Sequence, residues 1–323
     1  MQTMPPVGLA LIFAAGLAGL TLGGDWLCRG ATGLSVRMNI RPVVVGLTVV
    51  SVATSMPELF TSLAGSLSGA DGLAIGNIVG SNIGNIGLIL GIAAIVSPLV
   101  VRARLIRADV PILIAVSLIF TFLCATSLSR WDGVWLLLLC AGYFVFLLRR
   151  TGHGEESDID VGEVEEAARH SPGRIAVLIS AGAVALALGA ELLVRSSVET
   201  ASRLGVGDAL IGLTVVAVGT SLPELATSIT AALKRQADLC AGNIVGSNLF
   251  NLILISGVVA LAAPIQVERE LFALEFPVML FFTFLLWPVF FTGRMVSRGE
   301  GVVLLGLYAL FILATIHARA GLW

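Results

Sequence analysis

Residues 46–85 read GLTVVSVATSMPELFTSLAGSLSGADGLAIGNIVGSNIGN, and residues 212–251 read GLTVVAVGTSLPELATSITAALKRQADLCAGNIVGSNLFN. Aligned without a gap, 23 of 40 positions are identical at a constant offset of 166 residues. The identities fall on Thr, Ser, Pro, Glu, Gly and Asn more than on Leu and Ile. Two unrelated apolar helices would agree the other way round. The chain is therefore read as a duplication, and the rest is organised by it.

Of its 323 residues, 57% are hydrophobic and 12% charged, and the mean hydropathy is +0.99. Soluble domains carry about 25% charged residues, so this composition indicates a membrane protein in a lipid bilayer. A net charge of −2 gives no sign of a nucleic-acid partner. The four cysteines, Cys28, Cys124, Cys140 and Cys240, are scattered and read as small buried apolar groups. His153, His170 and His317 lack metal-ligand spacing. No HExxH, GxSxG or P-loop is present, so neither an enzyme nor a bound cofactor is expected.

About 20 apolar residues cross a hydrocarbon core as a helix. That measure gives an all-α membrane protein of ten transmembrane helices, near 7–27, 42–67, 73–97, 109–127, 132–148, 174–194, 208–233, 239–263, 271–292 and 301–318. The first span has no basic stretch before it, and the offset pairs Asp25 with Glu191 and Arg29 with Arg195. It belongs to the repeat and is not read as a cleaved signal. With the N-terminus outside, the cytoplasmic loops collect fourteen basic residues and the outer ones five, which sets both termini outside. Arg29 and Arg37 are counted in the first of those loops.

Five spans separate equivalent points of the two copies, so the second copy enters the membrane upside down. Inverted five-helix repeats are the architecture of secondary transporters, whose site lies at the repeat interface near the midplane. Residues 1–148 form the first repeat and 174–323 the second. The stretch 149–173 is an acidic cytoplasmic linker with seven acids, whose spacing does not fit an EF-hand loop.

Glu58 and Glu224 fall mid-span, where an unpaired carboxylate costs at least a few kcal/mol, so a functional partner is expected for each. Thr54 and Ser55 lie one turn before Glu58, as Thr220 and Ser221 do before Glu224. Pro57 and Pro223 cannot donate to the carbonyls four residues earlier, which frees those oxygens and opens the turn. Asn77, Ser81 and Asn85, like Asn243, Ser247 and Asn251, form a polar stripe at four-residue steps. The stripe glycines, and the outer amides Asn77, Asn82, Asn243 and Asn248, read equally well as helix packing. A duplicated mid-membrane acid does not. Together these groups offer hard oxygens only. Ca2+ takes six to eight of them, and two carboxylates neutralise one divalent ion. Na+ competes for the same oxygens.

The paired segments ATSMPE at 53–58 and GTSLPE at 219–224, each followed by GNIVGSN at 76–82 and 242–248, resemble the duplicated motif of the cation/calcium antiporter superfamily. Within it they resemble the sodium/calcium exchanger branch, over nearly the whole chain. The GNxxE-type segments of the proton/calcium branch are not seen. The resemblance implies a cation cluster between the second, third, seventh and eighth spans, with Glu58 and Glu224 as the main ligands of Ca2+ and also of Na+. Thr54, Ser55, Thr220, Ser221, Ser81 and Ser247 would line it, and Asn85 and Asn251 would complete the centre. The carbonyls of Ser51 and Ala217 would serve flanking Na+ sites, and the long first and sixth helices would slide to switch access. Some relatives carry aspartate where this chain has Asn251, and position 53 is Ala where the motif usually has Gly. The function implied is Ca2+/Na+ antiport in the cell (inner) membrane by a chain that works as a monomer. H+-coupled antiport is the nearest alternative, and a cation channel with the same repeats or an intramembrane enzyme lies further off.

Overall fold

The first helix, α1 (Pro6–Met38), opens with a proline in its first turn and stops where Asn39 turns left-handed, at φ 53°. A computed structural model describes residues 5–149, 170–204 and 217–319. After α1 come α2 (Pro42–Thr54) and α3 (Met56–Leu67), two parts of one span bent by 45°. Next in the chain are α4 (Asp71–Val96), α5 (Leu105–Cys124), α6 (Arg130–Arg149) and α7 (Pro172–Arg203). The second half continues with α8 (Ala217–Gly219), α9 (Leu222–Leu233), α10 (Ala237–Ala262), α11 (Arg269–Phe291) and α12 (Arg298–Arg319). Among the described residues eight helices are long and apolar enough to cross a membrane, and the bent α2–α3 pair makes a ninth. Residues 208–216 of the expected seventh span, and 150–169 of the acidic linker, lie outside the described residues.

Burial sorts the helices into a centre and a jacket. In α4 and α10, 78% and 83% of the most apolar window is buried, against 28%, 28%, 22% and 17% in α1, α6, α7 and α12. Helices apolar all round belong inside a bundle, and these two carry the GNIVGSN segments. The outer helices show lipid-type faces, with Trp131, Trp135, Leu310 and Leu313 exposed. None of the four cysteines is in a disulfide and all are buried, as their apolar surroundings imply.

α1 and α7 run past their expected ends. They have 33 and 32 residues, about 50 Å at 1.5 Å per residue, longer than a hydrocarbon core of about 30 Å. Arg29 and Arg37 therefore lie within α1 and not in a loop. The helix continues because Leu27, Cys28 and Ala31 bury one face while the other carries the charges. The two helices cross in opposite directions with their backbones touching. A Cβ on Gly16 would stand 2.9 Å from the Gly189 carbonyl, and one on Gly23 would stand 2.9 Å from the Gly182 carbonyl. Gly16 and Gly23 are the repeat equivalents of Gly182 and Gly189, so the contacts are exchanged between equivalents.

Two-residue strands staple the helix ends. β1 (Leu99–Val100) pairs antiparallel with β4 (Met295–Val296), and β2 (Ser127–Leu128) pairs with β3 (Ile265–Gln266). Each staple joins a loop of the first half to one of the second.

Candidate cation site

Pro57 and Pro223 act as the sequence suggests. Neither supplies the N–H that would close the preceding turn, and the chain leaves helical geometry one or two residues earlier. Ser55 has ψ 9° and Ser221 has ψ 7°, both outside the helical range. A fresh helix N-terminus then forms inside the bundle, that of α3 in one half and of α9 in the other. Glu58 and Glu224 sit in those first turns. Unpaired N–H groups and the positive end of the macrodipole favour a carboxylate there. The proline thus both bends the helix and gives the acid an environment it tolerates.

The two acids are held across the repeat boundary. Ser55 Oγ donates to Glu224 Oε1 at 2.9 Å, and Ser221 Oγ donates to Glu58 Oε1 at 3.1 Å. Each serine therefore serves the other copy's glutamate. One layer out the exchange recurs: Thr54 Oγ1 donates to Asn243 Oδ1 at 3.3 Å, and Thr220 Oγ1 to Asn77 Oδ1 at 3.2 Å. The amide nitrogens are fixed in turn, Asn77 Nδ2 on Ser62 Oγ at 2.9 Å and Asn243 Nδ2 on Ser228 Oγ at 3.1 Å.

Asn77 and Asn243 are thus brackets that orient the threonines, a role beyond helix packing. Ser62 and Ser228 were missed by sequence reasoning. Their signal was there: they are identical in both copies and lie one turn after the glutamates.

Ser81 Oγ lies 3.4 Å from Ser221 Oγ. Asn85 and Asn251 each begin a π-helical turn, Asn85–Leu90 and Asn251–Ile255. Such turns widen the helix and re-aim a side chain, and they recur at functional sites. Glu58, Glu224, Asn85, Asn251, Ser55, Ser81, Ser221 and Ser247 are all buried. Glu58 Oε2, Glu224 Oε2, Asn85 Oδ1, Asn251 Oδ1 and Ser247 Oγ have no hydrogen-bond partner in the protein. Buried polar atoms are normally satisfied. Five such oxygens, two of them on the glutamates themselves, suit an oxygen-seeking cation better than a packing role.

Ser51 differs. Its carbonyl already accepts from Ser55 N at 3.0 Å, and Thr54 Oγ1 lies 3.3 Å from it. Its hydroxyl bridges the Gly46 and Asn243 carbonyls at 2.6 and 3.0 Å. Ala217 begins α8 at the edge of the described residues. The outer amides also part company: Asn82 donates to the Ile78 carbonyl at 2.8 Å, while Asn248 is buried with both amide atoms unpartnered.

A tight helix contact holds the halves in register. Gly46 of α2 and Gly242 of α10 face each other, and a Cβ on Gly242 would stand 2.6 Å from the Val43 carbonyl. Only glycine allows this approach, and it is what brings Ser51 onto the Asn243 carbonyl.

With this geometry in hand, comparison with known proteins is direct. The chain matches the family described as sodium/calcium exchanger protein over residues 8–150 and 174–317. The sodium/calcium exchanger MaX1 of Methanosarcina acetivorans is 31% identical over 344 aligned residues, covering 95% of this chain and 98% of its own. The inner membrane protein YrbG of Escherichia coli is 33% identical, covering 93% of this chain and 94% of its own. A solved structure of the sodium-calcium exchanger NCX_Mj, soaked with Na+ and Sr2+, superposes with a TM-score of 0.82 at 31% identity, covering 96% of this chain and 99% of that one. The chain belongs to the sodium/calcium exchanger family.

Proposed function

We propose that the chain is a secondary antiporter that moves Ca2+ against Na+ by alternating access, at one site built from both halves. A single observation carries this reading: Ser55 and Ser221 cross over to each other's glutamate while the second oxygen of each glutamate has no protein partner. Two carboxylates in a low-dielectric centre are stabilised by one Ca2+ or by more than one Na+, and the same oxygens serve both ions. Each opening therefore carries one species or the other, and the empty, doubly negative site crosses poorly. The ligand set is Glu58 and Glu224 at the centre, lined by Thr54, Ser55, Thr220, Ser221, Ser81, Ser247, Asn85 and Asn251. The Ser51 and Ala217 carbonyls flank it, Ser51 in competition with its existing donor.

The same proposal makes the fold ten helices in two inverted five-helix repeats, 1–148 and 174–323, joined by the linker 149–173. The exchanged glycine contacts between antiparallel α1 and α7 support inversion. The strand pairs support the topology, because β1 and β4 belong to loops assigned to one side of the membrane and β2 and β3 to loops assigned to the other, and the excess of basic residues in the loops of the first side makes it the cytoplasmic one. Both termini then face outward from the inner membrane, and each chain works as a monomer within the bilayer. The family's members are transporters, so the chain is not an enzyme and Ca2+ and Na+ are its substrates.

The test is Ca2+ uptake into proteoliposomes against an imposed Na+ gradient. Uptake should track the Na+ gradient and collapse when that gradient is dissipated. Uptake that tracks a pH gradient and ignores Na+ would replace Na+ by H+ as the coupling ion.

A further inference from the structure

The two halves match in their site, yet α1 and α7 are fastened differently at their two ends. At one end α1 is tied to α9 over three turns. A Cβ on Gly24 would stand 2.8 Å from Thr230 Oγ1 and 3.2 Å from the Ala226 carbonyl. Cys28 Sγ lies 3.8 Å from the Thr227 carbonyl, and Gln236 Nε2 donates to Thr32 Oγ1 at 3.3 Å. Between them Asp25 accepts from Lys234 Nζ at 2.7 Å, and from Arg29 Nε on its own helix at 2.9 Å. Lys234 is the only lysine in the chain.

The offset of 166 shows what is absent at the other end. Cys28, Thr32, Lys234 and Gln236 correspond to Val194, Val198, Ser68 and Ala70, of which three have apolar side chains and Ser68 has no charge for an ion pair. Among the described residues Glu191 and Arg195, the equivalents of Asp25 and Arg29, pair with each other within α7 at 2.5 Å, with side chains 54% and 74% exposed. The α3 positions equivalent to half-buried Ala226 and Thr230 are Phe60 and Ala64, and both are exposed, Phe60 by 66%.

We propose that Asp25 and Lys234 form a latch that holds α1 on α9 at the cytoplasmic end, keeps that end shut and makes the outward-open arrangement the resting one. The latch rests on the alternating-access reading of the function. Opening the cytoplasmic end requires α1 to leave α9, which breaks the Lys234–Asp25 pair, whereas opening the outer end leaves it intact. An element that differs in contacts between two states biases their populations by that difference. Lys234 is the informative partner. Arg29 alone keeps Asp25 paired, so removing the lysine cuts the tie between elements without stranding an acid in the membrane. Asp25 and Lys234 are positioning residues: neither lies at the cation site.

The test compares Ca2+ KM at each face of the full-length protein in right-side-out and inside-out vesicles, for wild type, Lys234→Met and Lys234→Arg. Lys234→Met should raise the external KM and lower the cytoplasmic one, so that their ratio changes by about 1.5- to fivefold, the range expected for a partly exposed ion pair. The two values move in opposite directions because the two states trade population. Lys234→Arg should behave as wild type. A purely structural role would lower the maximal rate or move both KM values together, and that result overturns the latch, as does no change at either face. If wild type shows no Na+-dependent Ca2+ flux at all, the antiport reading fails first and the latch falls with it.

Discussion

At the residue scale, which oxygens the protein's own donors occupy decides what the centre can hold. Glu58 and Glu224 each keep one carboxylate oxygen on a serine from the other copy and leave the second without a partner in the protein. Glu58→Gln and Glu224→Gln should each remove Na+-driven Ca2+ flux, by at least about a hundredfold, since either change halves the charge that holds a divalent ion in a low-dielectric centre. Ser55→Ala and Ser221→Ala should raise the Ca2+ KM by comparable factors, about 10- to 100-fold. A hydrogen bond to a charged group is worth about 1.5–3 kcal/mol, and the two serines hold equivalent places. A large effect from one and none from the other would contradict the exchanged geometry.

Most of this residue list was legible in the sequence, because a mid-membrane acid is costly and a duplicated one cannot be accidental. The cross-pairing was not legible. Spacing puts Ser55 one turn from Glu58, but only the packed halves show that it serves Glu224. The reach of the Ser51 hydroxyl to the Asn243 carbonyl was hidden for the same reason, since it depends on how the two halves pack.

At the element scale, prolines and glycines shape the helices. Pro57 and Pro223 announced the breaks at Ser55 and Ser221, because a missing N–H has one consequence inside a helix. The π-helical turns at Asn85 and Asn251 had no such signal, since their wider turn comes from packing in the bundle. The full lengths of α1 and α7 were also understated, because charged residues on one face lower a hydropathy window while the other face stays buried. The Gly46–Gly242 contact gives a clean prediction. Gly242→Ala drives a Cβ to 2.6 Å from the Val43 carbonyl, and overpacking of this kind costs about 1–3 kcal/mol. Its melting temperature in detergent should fall by several degrees. Gly306→Ala, where nothing lies within 4 Å, should melt as wild type. Equal melting of the two would mean that α2 and α10 are not in backbone contact.

At the scale of the whole molecule, the proposed pair of inverted repeats fixes which loops share a side of the membrane. Orientation is tested with a membrane-impermeant maleimide on intact spheroplasts. Gln2→Cys should label from outside and Ser157→Cys only after the membrane is opened, against a low background because the native cysteines are buried. The reverse pattern would turn the molecule over, exchanging the faces at which the latch acts.

The central claim is that both halves make one site for which Ca2+ and Na+ compete. It is tested most directly by calorimetric Ca2+ binding to the purified protein at rising Na+. The account predicts one Ca2+ per chain, a Kd that climbs more steeply than linearly with Na+, and loss of binding in Glu58→Gln and in Glu224→Gln alike. Two Ca2+ per chain, each removed by only one of those substitutions, or a Kd indifferent to Na+, would contradict it.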